Sequence, residues 1–377
     1  MKLIYINGVP TSMIFGLKLD AWWFSENGFD VEFWDTSPLY YSKNQLDKYY
    51  GGNEEYKYIG PNYKLIESEK EFMEQLNQLA QGSKIFYLSR SIYKIIEDDN
   101  VLKAIQDSKL DFYLKQFDNS NLMHSGIEKL KFNIKMLLKH KRANKKIQPK
   151  GFFGCGIKGR SSIQDVFPYT NFISIPSPKI EWKAQSRDIV KDYIIFVDES
   201  IEYAPDAKML GYEVSIDLDG YYTRMNKLFD NLEESLGMSV VIGASGKYIY
   251  PKNRFGGRDI IYKKTFSLIE HATLVVGHTS SALDHNIKCK KPMLFIDDKS
   301  FTQYKRDGFK TAIPLIGNKI YMSDEVTKED IENILKKENK DFHRLVNDYF
   351  KEDGVNEDYR EIMAKAFREC IANKIQT

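Results

Sequence analysis

The sequence predicts an α/β protein built from two parallel-sheet domains. The first observation is length, because 377 residues are too many for one ordinary hydrophobic core. The second is the alternation of short apolar runs with helical patterns, which is typical of βαβ units. The third is the polar stretch from Pro176 to Asp192, which is typical of an interdomain linker.

The first half of the chain carries five strand patterns and one clear helical pattern. The strands are predicted at Lys2–Ile6, Asp30–Trp34, Ile85–Leu88, Gly151–Gly154 and Phe172–Ile175, and the helix at Ser12–Asn27, ending at Gly28. The polar insertion Asp35–Tyr63 shows no regular pattern, so we predict no element there.

The second half carries a cleaner series. Strands are predicted at Tyr193–Val197, Ser239–Ile242, Thr273–Val276 and Pro292–Ile296, and helices at Tyr221–Leu236, Thr265–His271, Ser280–Lys288, Asp341–Lys351 and Glu357–Lys374. These elements place one domain at residues 1–182, a second at 190–340, and closing helices at 341–377.

Composition excludes several function classes. The formal net charge of +2 gives no global field for nucleic acid, and no apolar run approaches the ~20 residues of a membrane span. Cys155, Cys289 and Cys370 are scattered, with neither a metal-ligand spacing nor a disulfide framework. The start of the chain has no signal-peptide pattern. We therefore expect a cytoplasmic protein that binds no nucleic acid.

The most informative segment runs from Leu274 to Asp284. An apolar strand leads into a small-residue turn with the hydroxyls of Thr279, Ser280 and Ser281, and then into a predicted helix. A helix start at the carboxyl end of a parallel strand offers unpaired N–H groups to an anion. The alternative is that Thr279 or Ser280 simply caps the helix.

Cations and a further hydroxyl follow nearby in the sequence. Arg258 and Lys264 are expected to contact the same anion, with Thr265 beside them, since charge-assisted hydrogen bonds add roughly 1.5–3 kcal/mol each. The alternative for each cation is a solvated surface position.

The order of motifs in this half supports a family resemblance. The motifs are Asp198-Glu199, Tyr221-Tyr222, Phe255-Gly256-Gly257-Arg258, Thr265-Phe266-Ser267-Leu268-Ile269, His278-Thr279-Ser280-Ser281-Ala282 and Lys291-Pro292. In this order they resemble the C-terminal half of bacterial surface-polysaccharide glycosyltransferases of the GT-B fold. The resemblance implies two Rossmann-like domains facing a cleft, with a C-terminal helix crossing back. It also implies an N-terminal acceptor-binding domain and a C-terminal domain that binds the nucleotide sugar.

One departure bears on the donor. Where the family carries His-Pro, this chain has Ala244-Ser245-Gly246-Lys247, which leaves the donor phosphate to Lys247 and His278. The Ser-Ser element and the acidic pair also resemble those of bacterial sialyltransferases and Kdo transferases. The resemblance therefore implies a CMP-linked 2-keto acid sugar, such as a nonulosonate or Kdo, as the donor. A UDP- or GDP-linked sugar stays open.

The mechanism that the resemblance implies is an inverting, metal-independent transfer without a cofactor. Asp198 or Glu199, at the end of a predicted strand, is the expected base for the acceptor hydroxyl. The strand-end loops at 7–12 and 89–91 hold competing candidates. The acidic runs at 217–219 and 297–298 offer a metal-binding alternative, and we predict no metal.

The basic stretch Lys129–Lys150 leaves two interpretations open. Ten basic residues, counting His140, interleave there with apolar ones and no acids. One interpretation is an amphipathic helix resting on an anionic membrane, near a lipid-linked acceptor. The other is a helix packed on the N-terminal sheet. For the whole chain, a sugar-nucleotide 2-epimerase and a non-catalytic nucleotide-binding subunit are the alternatives to a glycosyltransferase that acts on a glycan or lipid-linked acceptor.

Overall fold

A computed structural model of the chain describes residues 1–12, 19–51, 54–88, 100–115, 149–166, 170–181, 191–203, 216–244, 246, 248–280, 282–301, 306, 319–336 and 343–372. The chain separates into two compact units. The first unit is Met1–Pro178 together with Asn347–Thr377, and the second is Lys179–Val346.

The first unit is organised around a seven-stranded parallel sheet. Its strands are β1 (Lys2–Asn7), β2 (Asp30–Asp35), β3 (Tyr63–Leu65), β4 (Lys84–Leu88), β5 (Asp111–Lys115), β6 (Gly151–Gly154) and β7 (Phe172–Ser174). Their order in the sheet is β3-β2-β1-β4-β5-β6-β7, with every described pairing parallel. The direction of winding therefore reverses between β1 and β4.

The helices of this unit lie between the strands and after the second unit. They are α1 (Ala21–Glu26), α2 (Lys43–Tyr50), α3 (Glu69–Asn77), α4 (Asn100–Asp107), α5 (Gly156–Val166) and α12 (Tyr359–Ala372). The helices α6 (Pro178–Glu181) and α11 (His343–Tyr349) each contain one of the two sequence boundaries between the units. Buried apolar residues cover both faces of the sheet. On one of these faces α12 inserts Met363, Ala364 and Phe367 among the aromatic side chains of the strands.

Two predictions for this half need correction. Ser12 does not begin a helix, since it forms an isolated antiparallel bridge with Lys57, and α1 begins only at Ala21. Residues 13–18 lie outside the described part of the chain. The insertion at 35–63 is not irregular, because α2 forms there with a Ser42–Gln45 capping box and a left-handed Gly51 at its end.

The second unit contains a six-stranded parallel sheet. Its strands are β8 (Tyr193–Val197), β9 (Ser239–Ala244), β10 (Ile260–Tyr262), β11 (Leu274–Gly277), β12 (Met293–Asp297) and β13 (Ile320–Met322). The order β10-β9-β8-β11-β12-β13 is that of the doubly wound dinucleotide-binding fold. Between them along the chain lie the helices α7 (Leu218–Leu236), α8 (Thr265–His271) and α9 (Leu283–Cys289), and α10 (Lys328–Lys336) follows the last strand.

Helix α7 shows how the sequence specifies this unit. Its buried residues recur at three- and four-residue steps, from Tyr221 through Met225 and Phe229 to Leu232, and they pack into the main core. Asp217 caps its N-terminus by accepting the N–H of Gly220, and Gly237 ends it in the left-handed conformation. The prediction of this helix is confirmed, with three residues added at its start.

Helix α9 begins later than predicted. The sequence placed its start at Ser280, whereas the helix runs from Leu283 to Cys289. The hydroxyl oxygen of Ser280 accepts the N–H of Ala282, and its carbonyl accepts that of Leu283. A serine hydroxyl that binds its own backbone competes with the helix, so a turn replaces the first predicted helical residues.

Candidate functional site

The carboxyl edge of the second sheet brings the predicted catalytic and donor-binding segments together. The strands β8 and β11 are neighbours in register, with Val197 opposite Gly277. The pair Asp198-Glu199 therefore leaves its strand directly beside His278-Thr279. This is the point at which the winding of the sheet reverses, and ligands of open α/β sheets bind outside the carboxyl ends of the strands at such a point.

Glu199 and Thr279 are joined across this point. The carboxylate of Glu199 accepts a hydrogen bond from the backbone N–H of Thr279. Both residues are partly exposed, as is Ser280. A charge-assisted hydrogen bond to a backbone N–H is the contact that a phosphate oxygen makes at such a turn. The turn thus already holds an anion, supplied by the protein itself.

Asp198 is held more tightly than Glu199. Its side chain is buried and accepts hydrogen bonds from the hydroxyl of Tyr250 at 2.8 Å and the N–H of Ser200 at 3.1 Å. Burial, and next the charge of Asp198, raises the pKa of Tyr250, so the phenol stays a donor. Ser200 takes a left-handed conformation at φ 53°, which turns the chain sharply after the strand. Of the two acids, Glu199 has the more accessible carboxylate.

His278 is an interior residue. It is fully buried, with ring edges against Phe196 and Phe301. Nδ1 lies 2.6 Å from the carbonyl of Ile296, which can only accept, so Nδ1 carries the proton. Nε2 lies 2.9 Å from the hydroxyl of Tyr221 and therefore accepts a hydrogen bond from it. Burial lowers the pKa of His278 to about 4. Both ring nitrogens are engaged within the protein, in place of the predicted contact with a donor phosphate.

Arg258 lies away from this edge. It comes just before β10, while its partner Glu233 also accepts the N–H of Val240 at the start of β9. Its guanidinium bonds Glu233 at 2.6 Å and Asp230 at 2.5 Å, and it lies over the ring of Phe229. These neighbours place Arg258 at the amino edge of the sheet, fastening the loop before β10 to α7. The predicted donor contact is replaced by this structural one.

Of the remaining predicted donor residues, the structure describes Lys264 and Thr265, and both lie at the carboxyl edge. Lys264 is exposed and Thr265 half-buried, immediately after β10, and the methyl group of Thr265 lies near Gly243 at the end of β9. Lys247 and Ser281 lie outside the described residues.

Other side chains at this edge were not predicted. Glu202 bonds Arg254 at 2.7 Å and accepts the hydroxyl of Tyr222, and Arg254 lies over the Tyr222 ring. Beside them the rings of Tyr203 and Tyr248 stack with centroids 3.8 Å apart. A sequence signal existed in the tyrosines and in the two cations, Lys252 and Arg254, between Tyr250 and Gly256. Arg254 supplies a positive charge at the edge where Arg258 was expected.

The two acidic runs considered for a metal have other partners. Asp217 caps α7. Asp298 is fully buried and accepts two hydrogen bonds from Arg224 and one from Ser323, which together outweigh burial and lower its pKa to about 2. Asp297 pairs with Arg306 at 3.1 Å. These contacts give the acids structural roles in capping and ion pairing.

The predicted membrane contact of the basic stretch falls mostly on residues that the structure does not describe. No helix in the described part of the chain is both long enough and apolar enough to cross a bilayer. Of the basic stretch Lys129–Lys150, residues 129–148 lie outside the described part.

Comparison with known proteins gives the fold. No protein-family model matches the sequence, and no curated protein matches it either. Among solved structures, the glycosyltransferase SnogD from Streptomyces nogalater matches with a TM-score of 0.52 and 11% identity, covering 99% of each chain. MnaA of S. aureus, solved with UDP, matches with a TM-score of 0.51 and 11% identity over 100% of this chain and 96% of that one.

A third structure extends the comparison to another activity. It is assigned as a UDP-N-acetylglucosamine 2-epimerase from Listeria monocytogenes and matches with a TM-score of 0.50 and 10% identity over 98% of this chain and 97% of that one. The chain has the GT-B fold that these proteins share. The predicted fold class is confirmed in its two parallel-sheet units.

Proposed function

We propose that this chain is a glycosyltransferase that uses a nucleotide-sugar donor. The observation that carries the proposal is the carboxyl edge of the second sheet, where two acids meet a turn bearing a backbone N–H and two hydroxyls. The GT-B fold of the whole chain supports it, because the glycosyltransferase SnogD has the same fold. The second unit is assigned to the donor and the first to the acceptor.

In this proposal the turn at Thr279 and Ser280 receives the phosphate next to the sugar. Cleavage of the sugar–phosphate bond leaves negative charge on that phosphate, so N–H groups and cations aimed at it stabilise the transition state. Lys264 follows β10 at this edge, and Arg254 is bonded to Glu202 in the segment that follows β8. This arrangement needs no metal ion to stabilise the leaving group.

Glu199 has two roles in the proposed mechanism. A donor phosphate that takes the Thr279 N–H displaces the carboxylate from it. The released carboxylate is partly exposed and can accept the proton of an acceptor hydroxyl as that oxygen attacks the anomeric carbon. Attack opposite the leaving phosphate inverts the configuration. Asp198, which stays bonded to Tyr250 and Ser200, fixes the loop after β8.

The donor is proposed as a CMP-linked 2-keto acid sugar, such as a nonulosonate or Kdo. The support is the resemblance of the Ser280-Ser281 element and the Asp198-Glu199 pair to bacterial sialyltransferases. A UDP-sugar is the competing donor, supported by the UDP bound to MnaA. The acceptor is proposed as a glycan or lipid-linked glycan, with peripheral membrane contact through Lys129–Lys150.

A second function, sugar-nucleotide 2-epimerisation, is favoured by the Listeria protein of the same fold. The two activities differ in product. A transferase releases the free nucleotide and joins the sugar to an acceptor, whereas a 2-epimerase keeps the nucleotide attached and inverts one carbon of the sugar.

The experiment is a thermal-shift survey of CMP, CDP, UDP, GDP and ADP, followed by turnover of the matching sugar nucleotides. A ligand at 100 times its Kd should stabilise the protein by about 2.7 kcal/mol. Stabilisation by CMP that is lost in Ser280→Ala supports a CMP-linked sugar as the donor. Stabilisation by UDP instead supports a UDP-linked sugar. An epimerised UDP-sugar in the product spectrum assigns the second function. Binding without release or epimerisation indicates a non-catalytic subunit, and no binding of any nucleotide overturns the proposal.

A further inference from the structure

Three different metal-ligating side chains meet between α8 and α9. They are Glu270 on α8, and His285 and Cys289 on α9. One ligand atom from each lies within 4.8 Å of the others. His285 and Cys289 are four residues apart on one helix, so they share a face, and that face meets α8. The cluster takes no part in the site at the carboxyl edge.

His285 is already oriented for a ligand's role. It is fully buried, and its ring stacks on Phe266 with centroids 4.8 Å apart. Its Nε2 lies 3.0 Å from a carboxylate oxygen of Glu270. A carboxylate and an imidazole bound to one zinc ion at about 2.0–2.2 Å each have their ligand atoms about 3.4 Å apart. The existing pair therefore needs to open by only a few tenths of an ångström.

Cys289 completes the set. It is half-buried, and burial followed by the charge of Glu270 raises the pKa of its thiol to about 11, so without a cation it is protonated. A divalent cation reverses this preference, because a coordinated thiol loses its proton. Thiolate, imidazole and carboxylate are the three protein ligands that Zn²⁺ prefers. The cation Lys288 lies 3.8 Å from Glu270, on an exposed side chain that can turn to solvent.

We propose that Glu270, His285 and Cys289 bind one zinc ion, with water as the fourth ligand. The ion joins α8, which begins at Thr265, to α9, which follows the turn at Thr279 and Ser280. Its role is to brace the helices that carry these turns. The site is independent of the proposed transferase activity and stands or falls separately from it.

The test uses the full chain freed of metal with a chelator. Titration with Co²⁺ should give a single equivalent with a thiolate-to-cobalt charge-transfer band and the intense visible bands of tetrahedral cobalt. Zn²⁺ should displace the cobalt and raise the melting temperature. Zinc binding should release protons, seen as a heat that depends on the ionisation enthalpy of the buffer.

Three variants locate the ion. Cys289→Ser should abolish the charge-transfer band and weaken zinc binding at least about 100-fold, given that even partners of metal ligands contribute 10–100-fold. Glu270→Gln should weaken zinc binding while keeping that band, since the thiolate remains. The matched control is Cys155→Ala, which removes a buried thiol from the other unit and should leave both readouts unchanged.

Each contrary outcome overturns the proposal. Absence of a stoichiometric cobalt complex means that the cluster is only a hydrogen-bonded group of the interior. A charge-transfer band that survives in Cys289→Ser places the cation elsewhere. A variant that loses zinc binding is compared with the parent by circular dichroism without metal. If Cys289→Ser is unfolded, Glu270→Gln together with the parent's proton release decides the question.

Discussion

The carboxylate of Glu199 accepts a hydrogen bond from the backbone N–H of Thr279, just beyond the carboxyl ends of the paired strands β8 and β11. The bond links the end of one strand to the turn after its neighbour, at the point where the sheet reverses its winding. In the proposed function, a donor phosphate competes with this carboxylate for the same N–H. Removing the carboxylate should therefore change nucleotide affinity and the rate of sugar transfer in opposite directions.

For Glu199→Ala we expect tighter nucleotide binding and slower transfer. The free N–H should strengthen nucleotide binding about tenfold, or about 1.4 kcal/mol, as measured by calorimetry. Loss of the base should lower the rate of nucleotide release by about 10²–10⁴-fold. The control is Glu234→Ala, an exposed acid on α7 that should leave nucleotide binding and release unchanged. Weaker nucleotide binding in Glu199→Ala would contradict the competition.

The burial of His278 predicts a dependence of stability on pH. Its pKa is about 4 in the folded protein against an ordinary value of 6.5, so the unfolded chain binds the extra proton first. The free energy of unfolding should therefore fall as pH drops from 6.5 to 4, by about 3 kcal/mol at most. Urea unfolding at half-unit pH steps measures the slope.

His278→Asn should remove that slope, whatever it does to the absolute stability. His343→Asn changes an exposed histidine and should leave the slope intact. An unchanged slope in His278→Asn would assign the pH dependence to other groups. Carboxylates such as Asp298, with a pKa of about 2, contribute at lower pH.

For Arg258→Ala we expect a loss of stability with unchanged nucleotide affinity. The side chain is mostly buried, while its partner Asp230 is 71% exposed and contributes little. The lost contacts with Glu233 and the Phe229 ring should account for most of the effect. We expect the free energy of unfolding to fall by about 2 kcal/mol. Arg254→Ala, at the opposite edge, should instead weaken nucleotide binding. A drop in affinity without destabilisation in Arg258→Ala would restore its predicted donor contact.

Phe367→Ala should destabilise the first unit. Phe367 is fully buried and contacts the rings of Phe24, Phe86, Tyr113 and Phe153. Its truncation is expected to lower the free energy of unfolding by about 3–5 kcal/mol. Hydrogen exchange should show the loss in the first sheet, with the second sheet unaffected. Glu361→Ala, exposed on the same helix, should change stability by less than about 0.5 kcal/mol.

The strands of the sheet interiors were predictable because a strand buried on both faces is a continuous apolar run. Tyr193–Val197 is such a run, and its bounds match β8. The strands Tyr63–Leu65 and Asp111–Lys115 were missed, since the first is a three-residue edge strand and the second has charged ends. The helix α2 was also missed, although Ser42, Gln45 and Gly51 carry its capping signals.

The candidate site was predictable where its residues directly follow strands, because the carboxyl ends of parallel strands meet at one edge of a sheet. Glu199 and Thr279 are such residues, and the structure adds that their strands are neighbours. Arg258 and Lys264 are close in sequence, but β10 runs between them and carries them to opposite edges of the sheet. The burial of His278 depends on Tyr221 and Ile296, which are distant in sequence and invisible to any local pattern.

The first unit is interrupted in sequence, and its aromatic face is completed by a helix from the far end of the chain. During synthesis, Tyr113 and Phe153 emerge long before Phe367, while the second unit emerges as one continuous segment. The second unit can therefore finish folding first, which reverses the usual order from the N-terminus. Until residues 359–372 leave the ribosome, the aromatic face of the first sheet lacks the helix that covers it.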